Sequence, residues 1–167
     1  KLAYENSYAP FGEGIEALHT YVQTYPNSAN VSEAYDYLIS AYMRLKNYQA
    51  AMTSLEKITT KDNRLKEAYQ KVAYYRGIEL FRNKKYPDAA ATFDKSLMYK
   101  EMNPELAAQA LYWRGESNYR LGNTVVAVKD WESFRQMPAA RSLPEYELID
   151  YNLGYVWYNE GEYSKAL

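Results

Sequence analysis

Apolar residues recur along this chain at steps of three or four positions. Leu38 and Tyr42 follow that step, and Ala51 and Leu55 follow it again after the short stretch Leu45–Tyr48. Steps of three or four match the turn of an α-helix, and no stretch alternates apolar and polar residues long enough to indicate a β-strand. The pattern therefore predicts an all-α chain built of helix-turn-helix units.

The helical pattern repeats with a period of roughly 38 residues along the whole sequence. Small residues keep this step at Gly14, Ala51, Ala89, Ala127 and Ala166. A second series joins Ile39, Gly77, Gly115 and Gly154, and a third joins Leu18, Leu55, Phe93 and Trp131. Because small residues let two helices approach closely, we expect Gly77 to pack against Ala89.

A fourth series falls in the turns between the helical patterns, at Lys46, Lys84, Gly122 and Gly161. Glycine at such a position supplies the positive φ of a tight turn. Asn30 and Glu33 are expected to form a reciprocal helix cap at the start of one unit. The sequence thus predicts one solenoid segment with units at residues 1–29 (partial), 30–67, 68–105, 106–145 and 146–167 (partial).

Two units carry the residues of a known repeat. These are Leu38, Tyr42, Tyr48, Ala51 and Leu55 in one unit, and Leu153, Gly154, Trp157, Gly161, Tyr163 and Ala166 in another. With them the chain resembles the tetratricopeptide repeat family, in a variant longer than the family's usual repeat of about 34 residues. The resemblance implies a right-handed α-α superhelix, and we expect the sequence to be a segment of a longer array.

The cellular compartment is suggested by one short phrase. Tyr25–Ser28 resembles a phrase common in envelope-associated bacterial tetratricopeptide proteins, which favours a periplasmic or envelope location, with the cytoplasm as the alternative. The absence of cysteine leaves the redox environment open. No apolar run approaches the roughly 18 to 20 residues that span a bilayer, so we expect no direct membrane insertion.

Composition and motifs also narrow the chemistry. The chain has 20 Lys and Arg against 21 Asp and Glu, so it offers no general attraction to nucleic acid. His19 is the single histidine, and without a second His or a Cys a transition-metal site lacks ligands. We expect His19 to be structural or solvated. No phosphate loop or nucleophile motif is present. The sequence therefore predicts no enzyme, no cofactor and no metal.

The family resemblance also implies a binding surface, because the first helix of each unit lines the concave groove in such proteins. The candidate protein- or peptide-binding residues are Arg44, Tyr74, Phe81, Arg82, Tyr112, Glu116, Tyr119, Arg120, Tyr151, Tyr155 and Tyr158. Arginine binds carboxylates through a planar fork, and Tyr and Arg are enriched at interface hot spots. Trp113 has no counterpart in the repeat series and is a further residue of interest.

We therefore expect a non-enzymatic scaffold that binds a peptide or a partner protein in the groove. The alternative is an architectural spacer within a larger repeat protein. Asp36 and Ser40 stand where chaperone-binding family members carry the Lys and Asn of their carboxylate clamp, so no chaperone tail of that type is expected. Uncapped ends near Phe11 and at Tyr163–Leu167 lead us to expect some self-association.

Overall fold

The computed structural model describes residues 9–166, with side chains from residue 13 onward. Residues 1–8, Leu167 and the side chain of Phe11 lie outside the described residues. The expected self-association through uncapped ends therefore concerns them in part. Within residues 9–166 the chain is helical and has no β-strand, which confirms the all-α prediction. The helices are α1 (Ala9–Thr24), α2 (Val31–Arg44), α3 (Tyr48–Glu56), α4 (Asn63–Arg82), α5 (Tyr86–Leu97), α6 (Pro104–Arg120), α7 (Thr124–Gln136), α8 (Tyr146–Asn159) and α9 (Tyr163–Ala166), with a 3₁₀-helix at Pro138–Ser142.

The helices form an α-solenoid in which each helix packs against the next along the chain. The helix-turn-helix pairs are α2–α3, α4–α5, α6–α7 and α8–α9. First helices of neighbouring pairs also meet, since α4 contacts both α2 and α6. Between α6 and α8, the 3₁₀-helix packs against both. The junction before the last pair is therefore built differently from the junctions before it.

Side-chain caps determine where two of the first helices begin. Asp62 Oδ1 accepts the backbone N–H of Leu65 at 2.9 Å, and Asn103 Oδ1 accepts that of Leu106 at 2.9 Å. Each bond satisfies a backbone donor that the helix itself leaves free. Helices α4 and α6 consequently start at residues 63 and 104, so the unit divisions expected at 67/68 and 105/106 fall inside these helices.

The reciprocal cap expected from Asn30 and Glu33 at the start of α2 is not formed. Asn30 holds the cap position, but its side chain makes no capping hydrogen bond. Its backbone N–H instead donates to Ser28 Oγ at 3.2 Å, and Glu33 accepts a hydrogen bond from the Tyr37 hydroxyl at 3.2 Å. Asn30 and Glu33 therefore do not form the reciprocal hydrogen bonds of a cap.

The turns within the four helix pairs share one backbone geometry. The fourth sequence series holds positive φ angles, of 54° at Lys46, 59° at Lys84, 78° at Gly122 and 79° at Gly161. The residue after each one donates its backbone N–H to the carbonyl five positions earlier, at 2.8 to 2.9 Å. This is the hydrogen bond that closes a helix with a left-handed residue after its end. The positive φ expected of Gly122 and Gly161 is confirmed, and Lys46 and Lys84 adopt the same geometry.

A small residue faces a large one inside each central helix pair. A Cβ added to Gly77 would lie 2.6 Å from the Phe93 ring, and one added to Gly115 would lie 2.6 Å from the Trp131 ring. The partner of Gly77 is thus Phe93, one helical turn beyond the expected Ala89. In the pair α2–α3 these positions hold Ile39 and Leu55, which are both buried. A large side chain of the second helix thus occupies the space that glycine leaves on the first helix.

Ion pairs cross every junction between consecutive helix pairs. Three of them are partly exposed, Arg64–Asp36 at 2.7 Å, Lys95–Glu56 at 2.7 Å and Arg135–Asp150 at 3.1 Å. The fourth centres on Arg114, whose Nε and Nη2 donate to the buried Asp130 at 2.8 and 2.5 Å and whose Nη1 donates to Asp94 of the preceding pair. Arg114 therefore ties α6 both to its own partner helix and to the neighbouring unit.

We predict that Gly115→Ala lowers the free energy of unfolding by about 1–3 kcal/mol, because the new methyl group overlaps the Trp131 ring. Urea denaturation measures the change. In a Trp131→Leu background, position 131 carries the same residue as the equivalent position Leu55. There, Gly115→Ala should lower the free energy of unfolding by less. Gly14→Ala is the matched control, since nothing lies within 4 Å of its added Cβ. An equal cost at both glycines would contradict the size match.

We further predict that Arg114→Leu destabilises the chain by about 3–5 kcal/mol, since it leaves the Asp130 carboxylate buried and unpaired. The control is Arg135→Leu, which removes an exposed pair and should cost less than about 1 kcal/mol. Thermal and urea unfolding followed by circular dichroism give both values. Similar losses for the two variants would show that the buried pair has no special weight.

Candidate functional site

A cavity of about 810 Å³ opens between α4 and α6 at the end of the helices that carries the turns. Its wall includes the last two turns of α4, the turn residues Lys46 and Lys84, the start of α5, and Trp113 of α6. Glu145, which precedes α8, completes the wall from the far side. Four predicted site residues meet here: Tyr74, Phe81, Arg82 and Arg120.

Aromatic rings form much of the cavity wall. The Phe81 ring lies 5.0 Å from that of Trp113 and 5.3 Å from that of Tyr86, both edge to face. Tyr48 stacks on Tyr75 with centroids 5.6 Å apart. Rings in contact through their edges and faces support one another and present a broad apolar surface with polar tips. Such a surface suits an apolar or aromatic side chain of a partner.

Tyr74 belongs to this wall but is almost fully buried. Burial raises the pKa of its hydroxyl, and the nearby Glu145 carboxylate raises it further. Its ring lies 5.3 Å from that of Tyr75 and 6.2 Å from that of Phe93. Tyr74 therefore joins the core of α4–α5 to the cavity and offers a partner only a small part of its ring.

The charges around the cavity are mainly positive. Four basic side chains line the cavity, those of Lys46, Arg82, Lys84 and Arg120. Two acidic side chains also line it, those of Glu79 and Glu145. Glu79 already pairs with Arg76 at 2.6 Å. Glu145 has one carboxylate oxygen, Oε2, that is buried and finds no hydrogen-bond partner among the described residues. The region thus carries an excess of positive charge that the described residues leave unbalanced.

A second, smaller cavity of about 190 Å³ continues from the first along α6 and α8. Arg120 lines both cavities. The second one also receives the predicted residues Glu116, Tyr119, Tyr151 and Tyr155. Tyr151 and Tyr155 stack with centroids 6.3 Å apart and are both exposed. The two cavities therefore meet at Arg120, and their walls involve the first helices of the last three pairs.

Three predicted site residues lie elsewhere. Arg44 borders a separate depression of about 250 Å³ with Ile15 and Tyr37, because α1 packs beside it. Tyr112 is only 6% exposed, because its ring packs against Phe134, and it lines neither of the two cavities. Tyr158 is exposed and contacts Tyr163, but it lines neither of the two connected cavities.

Several wall residues were not among the sequence candidates. They are Lys46, Tyr48, Tyr75, Ile78, Glu79, Asn83, Lys84, Tyr86, Trp113 and Glu145. For Lys46 and Lys84 a signal existed, because lysine replaces glycine in the turn series. Trp113 stood apart from the repeat series and proves to face the cavity. Glu145 had no signal, because it follows the 3₁₀-helix that only one junction contains.

The remaining polar groups of interest have structural partners. His19 Nε2 hydrogen-bonds the Tyr42 hydroxyl between α1 and α2, in agreement with a structural role. No group of three His, Cys, Asp or Glu side chains within the described residues is arranged to hold a metal ion. Within residues 9–166, no helix combines the length and the apolar character needed to cross a membrane.

Glu116 generates a pH-dependent prediction. Burial raises the pKa of its carboxyl, while Arg120, 3.8 Å away, opposes the shift. The folded state therefore holds the proton more tightly, and the stability that Glu116 contributes falls as pH rises from the ordinary Glu pKa through the raised value. Glu116→Gln should be more stable than the parent at about pH 7 and equal to it at about pH 3.5, below the ordinary value.

Urea unfolding at both pH values measures this difference. Glu101→Gln, at an exposed loop position, is the control and should show no such trend. A Glu116→Gln variant that is less stable than the parent at neutral pH would contradict the assignment of burial as the dominant effect.

Comparisons with known proteins agree with the repeat geometry. A family model described as a tetratricopeptide repeat matches residues 74–133, which include most of the cavity wall. A solved structure titled "Crystal structure of MamA" is similar in fold, with a TM-score of 0.52, 18% identity, and coverage of 96% of this chain and 86% of that one. No curated protein matches the sequence. Residues 74–133 thus match a tetratricopeptide repeat, and the chain as a whole shares the fold of a solved structure built of such helix pairs.

Proposed function

We propose that this chain is a non-enzymatic scaffold that binds a peptide or a segment of a partner protein in the cavity between α4 and α6. Tetratricopeptide repeats generally mediate protein–protein interaction. The observation that carries the finer proposal is the coincidence, in one cavity of about 810 Å³, of clustered aromatic rings and an excess of basic over acidic side chains. These are the residue types that dominate the energetics of protein interfaces.

The shape of the site favours an extended segment over a compact ligand. The large cavity and the smaller one share Arg120 and follow the first helices of consecutive pairs. A chain lying along this surface would meet Phe81 and Trp113 in one cavity and Tyr151 and Tyr155 in the next. Burying side chains in successive pockets gives both affinity and register.

The spacer role remains the second candidate, and one observation favours it. An ion pair crosses each junction between helix pairs, and at one of them Arg114 binds two carboxylates, that of Asp130 in its own pair and that of Asp94 in the preceding pair. Such links stiffen an array whose units otherwise touch only their neighbours. A stiff array holds functional ends apart whether or not its groove is occupied.

Site-specific photocrosslinking in the cells of origin separates the two roles. A photoreactive phenylalanine analogue at Tyr86, in the cavity wall, should capture a discrete partner, whereas one at the exposed Val125 of α7 should not. Arg82→Ala with Arg120→Ala should lower the yield at Tyr86. Arg44→Ala is the matched control, because Arg44 lies outside the cavity.

No discrete product at Tyr86, or equal products at Tyr86 and Val125, would contradict the binding role and leave the spacer role in first place. The periplasmic or envelope location stays a prediction, and fractionation of the same cells tests it. Self-association through the ends also stays a prediction, and the concentration dependence of the molecular mass tests it.

A further inference from the structure

We infer that the segment bound between α4 and α6 is an internal acidic stretch that also carries an aromatic or large apolar side chain. This inference rests on the proposed function and adds the chemistry of the ligand. Side-chain carboxylates of the segment would contact the cations around the cavity, and its apolar side chain would lie against Phe81 and Trp113.

Charge complementarity is the first argument. Within the described residues, Lys46, Arg82 and Lys84 form no ion pair, and Arg120 meets Glu116 only at 3.8 Å. Some cations elsewhere, such as Arg64 and Lys95, meet carboxylates of this chain at 2.7 Å. Four cations around one aromatic cavity attract carboxylates from outside, and like charges in a ligand would be repelled.

The second argument is independent and comes from the backbone. All four turns need a residue with positive φ, a geometry that side chains other than glycine adopt at a cost. The two turns away from the large cavity use Gly122 and Gly161, whereas the two turns on its wall use Lys46 and Lys84. Strained residues that persist in a fold often mark functional positions. Lysine therefore occupies this destabilising position only in the two turns that face the cavity.

Glu145 provides a test that distinguishes an acidic ligand from a basic one. It lines the same cavity and, within the described residues, forms no ion pair. A carboxylate at this position repels an acidic ligand and attracts a basic one. Neutralising Glu145 should therefore strengthen the binding of an acidic segment and weaken the binding of a basic one.

The experiment uses three labelled peptides that are acetylated and amidated, so that no terminal charge takes part. In each, Phe recurs between blocks of a single second residue, which is Glu, Gln or Lys. Fluorescence anisotropy at low salt should give an affinity for the Glu peptide about tenfold or more above that for the Gln peptide, and no binding of the Lys peptide. Added salt should reduce the difference.

The variant Lys46→Gly with Lys84→Gly is the decisive one. It should bind the Glu peptide about tenfold more weakly while its urea midpoint rises, because glycine relieves both positive-φ residues. Glu145→Gln should bind the Glu peptide more tightly. Lys129→Gln, an exposed lysine on α7 outside both cavities, should change neither quantity.

Equal binding of the Glu and Gln peptides, tighter binding of the Lys peptide, or binding of none of the three would overturn the inference. Weaker binding of the Glu peptide by Glu145→Gln would overturn it as well. Crosslinking from Tyr86 decides the proposed function separately, so a cavity that captures a partner but prefers neutral or basic peptides leaves that function intact.

Discussion

The structure depends on a size match between the two helices of each central unit. Gly77 and Gly115 remove a side chain from the first helix, and Phe93 and Trp131 occupy the space from the second. Because interiors are packed to the density of crystals, either member of such a pair determines what its partner can be. The crossing of the two helices follows from this match, and so does the direction in which the rest of the first helix points.

That geometry positions the candidate binding surface. With Gly77 held against Phe93, the last turns of α4 carry Phe81 and Arg82 towards α6, where Trp113 and Arg120 approach from the other side. The buried Arg114–Asp130 pair keeps α6 in position, and its bond to Asp94 ties it to the preceding unit. The cavity thus lies between units, and its shape depends on packing inside each of them.

The repeat made much of this fold predictable. Helices, turns and the positive-φ positions follow a period of about 38 residues because the two helices of every unit pack in the same way. The candidate site was predictable only where units are equivalent, as for Arg82 and Arg120. Arg44 diverges because α1 packs beside it, and Tyr112 because its ring turns to Phe134. Glu145 belongs to a segment that one junction alone contains, so periodicity carries no information about it.

The most direct test of the account is nuclear magnetic resonance of the three tryptophan indole N–H groups during titration with a Glu- and Phe-containing peptide. Trp113 lines the cavity, Trp131 is buried and donates its indole N–H to the Tyr112 carbonyl at 3.3 Å, and Trp157 lies on α8 outside both cavities. A shift of the Trp113 signal with that of Trp157 unchanged is the predicted result, and the Trp131 signal reports whether the segment extends into the second cavity, which Trp131 lines. Movement of Trp157 or Trp131 while Trp113 stays fixed would contradict the assignment of the cavity as the binding site.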